Sequence, residues 1–221
     1  MDTVQTRHSF DEELQQMKQD ILKMGSVVEE MLAGAVKALR ERDKNLADEV
    51  IAKDDIVDEC NLNIEQTCLR LLALQQPMAR DLRTIAAALY IIKDVERMGD
   101  YALDIAKAAK KLADYEPITQ LIKIPRMAEI VQKMLRDSLR AYVNHDIEVI
   151  SEIAQEDDEV DILYRQVRDG MIGLIKDNPK SAAQAVELIL AARYLERIAD
   201  HITNIGERIS YMETGHLREL H

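Results

Sequence analysis

Apolar residues along the chain recur at intervals of three and four over long unbroken stretches, the period of helices that each bury one face. Breakers are sparse, the only prolines being Pro77, Pro117, Pro125 and Pro179. The pattern between them predicts helices over roughly residues 10–41, 43–74, 78–112, 121–144, 146–177 and 180–213. Gln76-Pro77 and Asn178-Pro179 mark two equivalent turns, and Asp114-Tyr115-Glu116-Pro117 reads as a connector near the chain midpoint. Helices of about 30 residues are about 45 Å long and can bury their stripes only side by side, as a bundle.

The pattern is also written twice. An offset of 103 superposes Met24 on Met127, Met31 on Met134, Asp43 on Asp146, Asp54 on Asp157, Asp58 on Asp161 and Ile64 on Val167. Further along, an offset of 100 superposes Glu96-Arg97-Met98-Gly99-Asp100 on Glu196-Arg197-Ile198-Ala199-Asp200, and Ile105 on Ile205. A duplicated unit produces this kind of self-similarity. The expected fold is therefore all-α, two tandem, pseudo-symmetric three-helix bundles, the first over residues 1–114 and the second over 115–221.

Composition agrees and narrows the function. Aromatics are 4%, with no Trp and one Phe, while helix-favouring residues abound, which argues against a β-rich fold. A formal net charge of −12 argues against nucleic acid or an anionic lipid surface as partner. The longest apolar stretch, Ile85 to Ile92, falls short of the roughly 18 residues of a membrane span, so no direct insertion is expected. The opening Met1-Asp2-Thr3-Val4-Gln5 is polar, unlike a secretory leader. Cys60 and Cys68 lie about 12 Å apart if helical, beyond disulfide reach, and read as reduced core thiols suited to the cytoplasm.

Candidate chemistry lies in carboxylates. The third helix carries the stripe Ile85, Leu89, Ile92, Gly99, Leu103, Ala106, and Glu96 interrupts that series with Asp100 one turn later. Asp54 and Asp58 repeat the four-residue spacing in the second helix, as do Asp157 with Asp161 and Glu196 with Asp200 in the second half. Like charges so placed require compensation, and four carboxylates converging from two helices suit an oxygen-preferring cation. The plainer alternative is that, among 41 acidic residues, such pairs face solvent with Arg97 and Arg197 as countercharges. Repetition at matched positions favours metal. His201 follows Asp200 and could be a ligand, but with Tyr101 at the matching place it reads as packing or surface, and Asp81 as a residue offsetting a helix dipole. There is no G-x-G-x-x-G, P-loop, H-E-x-x-H or G-x-S-x-G, so no enzyme is expected.

The two E-R-x-x-D segments at 96–100 and 196–200, each preceded by an Asp-x-x-x-Asp helix, resemble the PhoU family, as do Ala79-Arg80-Asp81-Leu82-Arg83 and Asn61-Leu62-Asn63-Ile64-Glu65. The resemblance covers nearly the whole chain, with Ala199 standing where the first half has Gly99. It implies a cytoplasmic negative regulator of phosphate uptake and phosphate-starvation signalling. Such a regulator acts on the phosphate ABC transporter ATPase and the phosphate sensor histidine kinase, and reaches the inner face of the membrane through these partners. It further implies a homodimer and metal ions, iron, manganese or magnesium, in sites that can be multinuclear. The implied ligands are Asp54, Asp58, Glu96 and Asp100, and Asp157, Asp161, Glu196 and Asp200. A carboxylate-bridged metalloenzyme and a metal-free helical adaptor are the competing readings.

Overall fold

The computed structural model describes residues 2–75, 77–116 and 123–216. Its helices are α1 (Asp2–Glu41), α2 (Lys44–Ile51), α3 (Asp54–Gln75), α4 (Arg80–Leu112), α5 (Lys123–Asn144), α6 (Ile150–Asp177) and α7 (Ala182–Thr214), with a 3-10 turn, Pro179–Ser181, before α7. No strand occurs among the described residues. The expected all-α architecture is present: α1, α3 and α4 form one bundle, and α5, α6 and α7 the other. Residues 121 and 122 of the expected fourth helix, Pro117 of the connector and residues 217–221 lie outside the described residues.

The neighbours run α3, α4, α7, α6 as one layer, with α1 and α5 side by side as a second. α4 and α7 are the central pair, so each buries a face wider than a single seam. Thr84, Ile85, Ala87, Ala88, Ile91, Ile92 and Val95 are all buried on the first half of α4. Leu89 and Leu103 lie only partly covered at the margin of that face. Position 96 therefore falls at the rim of the core rather than in its middle.

The duplication reaches the backbone turns. Arg42 and His145, 103 apart, both adopt left-handed φ, 59° and 60°. Each precedes an aspartate whose N–H bonds back five residues, Asp43 to Ala38 O at 3.1 Å and Asp146 to Ala141 O at 3.0 Å, closing the preceding helix. The same aspartates then accept from the next element: Asp43 Oδ1 from Asn45 and Leu46 N–H at 2.9 and 3.1 Å, Asp146 Oδ1 from Glu148 N–H at 2.9 Å.

Two sequence expectations require correction. The predicted second helix, 43–74, is broken at Ala52-Lys53 into α2 and α3, and the predicted fifth begins at Ile150 rather than 146. Ala-Lys is a good helix-forming pair, so nothing local announces the break. Its cause is packing: Val50 seats so closely on Gly34 of α1 that a Cβ there would lie 2.6 Å from Val50 Cγ2. α2 swings onto α1 at that point, and Lys53 ties the corner to Glu30 at 2.7 Å. The counterpart of Gly34 is Asp137, which offers no such seat, and α6 continues unbroken.

Candidate metal centres

In the first half, Asp54 and Asp58 occupy the first turns of α3 and face Glu96 and Asp100 on the middle of α4. Burial, then the negative charges of Asp58, Asp100 and Asp55, raise the Asp54 carboxyl above its ordinary value. Glu96 is raised by burial first, then by Asp100 and Asp58, with Arg97 opposing. Asp54 thus senses Asp100, and Glu96 senses Asp58, across the helix pair. Arg97 donates to Asp100 at 2.9 Å and lies 3.6 Å from Glu96. Gly99 lets α3 approach here, since a Cβ would meet Val57 Cγ1 at 3.3 Å.

The second half repeats the plan more deeply. Glu196 is only 8% exposed. Its Oε1 accepts from Arg193, while Oε2 is buried with no hydrogen-bond partner. Burial, then Asp200 and Asp161, push its carboxyl up to about 7 against the opposing charge of Arg193. Arg197 donates to Asp200 at 2.8 Å, and Arg165 to Asp161 at 3.3 Å. Asp157 is half-buried on the same helix one turn before Asp161.

The fold therefore sets Asp54 and Asp58 against Glu96 and Asp100, and Asp161 against Glu196 and Asp200 with Asp157 one turn before Asp161, yet with arginines drawn into each half. Among the described residues, no group of three or more His, Cys, Asp or Glu is gathered tightly enough to cage an ion. Arg97 and Arg197, expected as countercharges, do act so; Arg193 was not anticipated. Its signal was available, because Arg193 stands three residues before Glu196, an interacting spacing on a helix.

His201 is a packing residue, as expected, but an engaged one. Its Nδ1 lies 2.8 Å from Asp94 Oδ1 across the α4–α7 contact, where Asn204 also donates to Asp94 at 3.3 Å. The equivalent pair, Tyr101 and Tyr194, stacks with ring centroids 5.8 Å apart. Asp81 stands in the first turn of α4, as its dipole-offsetting role requires. Cys60 and Cys68 are both free, and Cys68 is buried against Met17 with its thiol pushed up to about 12 by burial.

Sequence reasoning missed one network that clasps the two halves. Lys18 Nζ lies 2.9 Å from His145 Nε2, His145 Nδ1 lies 2.5 Å from Glu213, and Arg80 bonds Glu213 at 3.0 Å. With Lys18 charged, His145 accepts at Nε2 and donates from Nδ1, which fixes its tautomer. Burial, then the charge of Arg80, lowers Lys18, and burial with both cations lowers His145 against the pull of Glu213.

The architecture so far defines an all-helical protein with a duplicated three-helix unit and an acid-lined helix pair in each copy. A family model described as "PhoU domain" matches the chain twice, over residues 21–109 and 124–209. The chain belongs to the PhoU family. Proteins of Clostridium acetobutylicum and Streptococcus pneumoniae, each named a phosphate-specific transport system accessory protein PhoU homolog, are 36% and 37% identical to it. The first match covers 95% of this chain and 96% of the relative, the second 97% and 99%. Among solved structures, PhoU from Pseudomonas aeruginosa superposes with a TM-score of 0.89 at 33% identity, covering 94% of this chain and all of that one. The phosphate transport system regulatory protein PhoU from Streptococcus pneumoniae gives 0.88 at 36% identity, covering 95% and 99%.

Proposed function

We propose that this protein is a non-enzymatic accessory regulator of a phosphate-specific transport system, restraining uptake and phosphate-starvation signalling by docking on the transporter ATPase and the sensor histidine kinase. The observation that supports the reading is the end-to-end likeness to relatives named as phosphate-specific transport system accessory proteins. No helix among the described residues is long and apolar enough to cross a membrane, which agrees with action from the cytoplasmic side through these partners, as a homodimer.

Metal is part of the proposal. The donors are all carboxylate oxygens, the chemistry preferred by magnesium, manganese and oxygen-bound iron. A buried, unpartnered oxygen on Glu196 is a lone pair in want of a cation. Asp54, Asp58, Glu96 and Asp100 would hold one centre, and Asp157, Asp161, Glu196 and Asp200 the other. A bound ion would neutralise the acid surface and fix the helix pairs for docking. The arginine partners of Asp100, Asp161, Glu196 and Asp200 support the rival reading of a metal-free adaptor.

Elemental analysis of protein purified without chelator, beside a Glu96→Ala/Glu196→Ala variant, separates the two. Metal present in the parent and lost in the variant is the expected result. No metal in either after reconstitution would leave the adaptor reading. The client is tested by deleting the gene, with de-repressed phosphate uptake expected, and by co-purification with the transporter ATPase.

A further inference from the structure

On the layer opposite the acid-lined helix pairs, α1 and α5 lie side by side and join the two bundles. They meet at Gly25, which is packed against Leu139 so closely that a Cβ would have no room. Beside that contact the helices part around an open groove of about 180 Å³, space for about six water molecules. Arg136 and Arg140 reach its rim from successive turns of α5, and Ser26 and Glu29 face them from α1.

The polar groups here are not used up. Glu29 accepts from Arg136 Nη1, which holds that guanidinium in place. Arg140 and the Ser26 hydroxyl are exposed, with no ion pair or hydrogen bond among the described residues. Two arginines against one glutamate leave the groove net positive, in a protein whose formal charge is −12.

The repeat supplies an internal control. At an offset of 103, the counterparts of Ser26 and Glu29 are Glu129 and Gln132, and those of Arg136 and Arg140 are Ala33 and Lys37. That side carries one acid and one base, and Glu129 is already paired with Arg126 at 3.6 Å. The positive groove is therefore built once, not inherited by both halves.

We propose that this groove binds a small phosphate-type oxyanion, either inorganic phosphate or a phosphomonoester. Guanidinium forks match tetrahedral oxyanions through paired N–H groups, and the serine hydroxyl supplies a further donor from the facing helix. The leucine walls reduce competition from water and strengthen those contacts.

The test is isothermal titration with inorganic phosphate and, in parallel, glycerol phosphate, using full-length protein held in chelator so that the carboxylate centres carry no metal. Arg140→Ala and Ser26→Glu alter exposed positions, so circular dichroism is expected to report unchanged folding; Arg168→Ala removes a partly exposed arginine elsewhere. Saturable binding that each groove variant weakens about ten-fold or more, and Arg168→Ala does not, is the expected result. The stronger of the two ligands identifies the source of the anion. Absence of saturable binding by both ligands, or an affinity in Arg140→Ala and Ser26→Glu equal to that of the parent, would overturn the proposal. Neither outcome touches the metal-dependent regulatory reading.

Discussion

The two carboxylate centres share a motif and differ in their neighbours. In the first, Lys93 turns away from Glu96 and bonds Glu65 on α3 at 2.9 Å. Its counterpart Arg193 folds back onto Glu196 and lies 5.6 Å from the Tyr164 ring. The reason is one charge reversal: the counterpart of Glu65 is Arg168, so α6 offers Arg193 no acceptor there. Tyr164 likewise replaces Asn61, whose buried Oδ1 has no partner. The Glu196 side chain ends 10% exposed and Glu96 22%. A motif copied by duplication keeps its spacing, while the residues around it set the protonation of each copy.

Removing the distinctive partner is the strongest way to break this contrast. Arg193→Ala removes the hydrogen-bonded countercharge of Glu196, leaving only Arg197, and strips a cation from Tyr164, and is expected to cost about 2–3 kcal/mol in urea unfolding at pH 8. Lys93→Ala disrupts an exposed pair and is expected to cost under about 1 kcal/mol. Equal losses would show that the two centres are electrostatically alike.

Acidity sharpens the same difference. The folded Glu196 carboxyl stands at about 7, above the ordinary 4.5, so the fold favours its protonated form. Its contribution is full below pH 4.5 and fades as the pH rises through about 7. Metal-free protein is therefore expected to lose about 3 kcal/mol over that window from this group, and Glu196→Gln to flatten the slope. Glu96→Gln is expected to change the profile less, because its burial is shallower. Thermal melts in chelator across the window measure both.

Smaller effects are expected where the halves differ by a methyl group. Ala199→Gly removes a fully buried methyl and adds backbone freedom in α7, for a loss of about 1.5 kcal/mol. Gly99→Ala gains about 1 kcal/mol of helix propensity but crowds Val57, and is expected to leave stability within about 0.5 kcal/mol of the parent. Last, Asp94→Asn at the α4–α7 contact weakens the bond to His201 by about 0.5 kcal/mol, with no counterpart effect at the stacked Tyr101–Tyr194 pair.

Much of this was legible from spacing alone. Helical period, sparse prolines and the 103- and 100-residue offsets lead to six helical stretches in two copies, because side-chain direction on a helix is a matter of arithmetic. The same arithmetic places Glu96 beside Asp100 and Glu196 beside Asp200. What the spacing did not carry was contact between distant segments. The break at Ala52-Lys53 follows from Val50 meeting Gly34, and the Lys18–His145–Glu213–Arg80 clasp joins four separate parts of the chain. The groove beside Arg136 and Arg140 likewise exists only because α1 packs against α5.

By itself, then, the sequence determined the helices, the duplication and the four-residue spacing of the carboxylates on each helix, since helical period and spacing depend on residues close along the chain. Only the tertiary structure decided which arginine would answer which acid, how deep each centre would lie and where positive charge would gather. Those outcomes depend on burial and on distances between side chains far apart in sequence, which local periodicity does not encode.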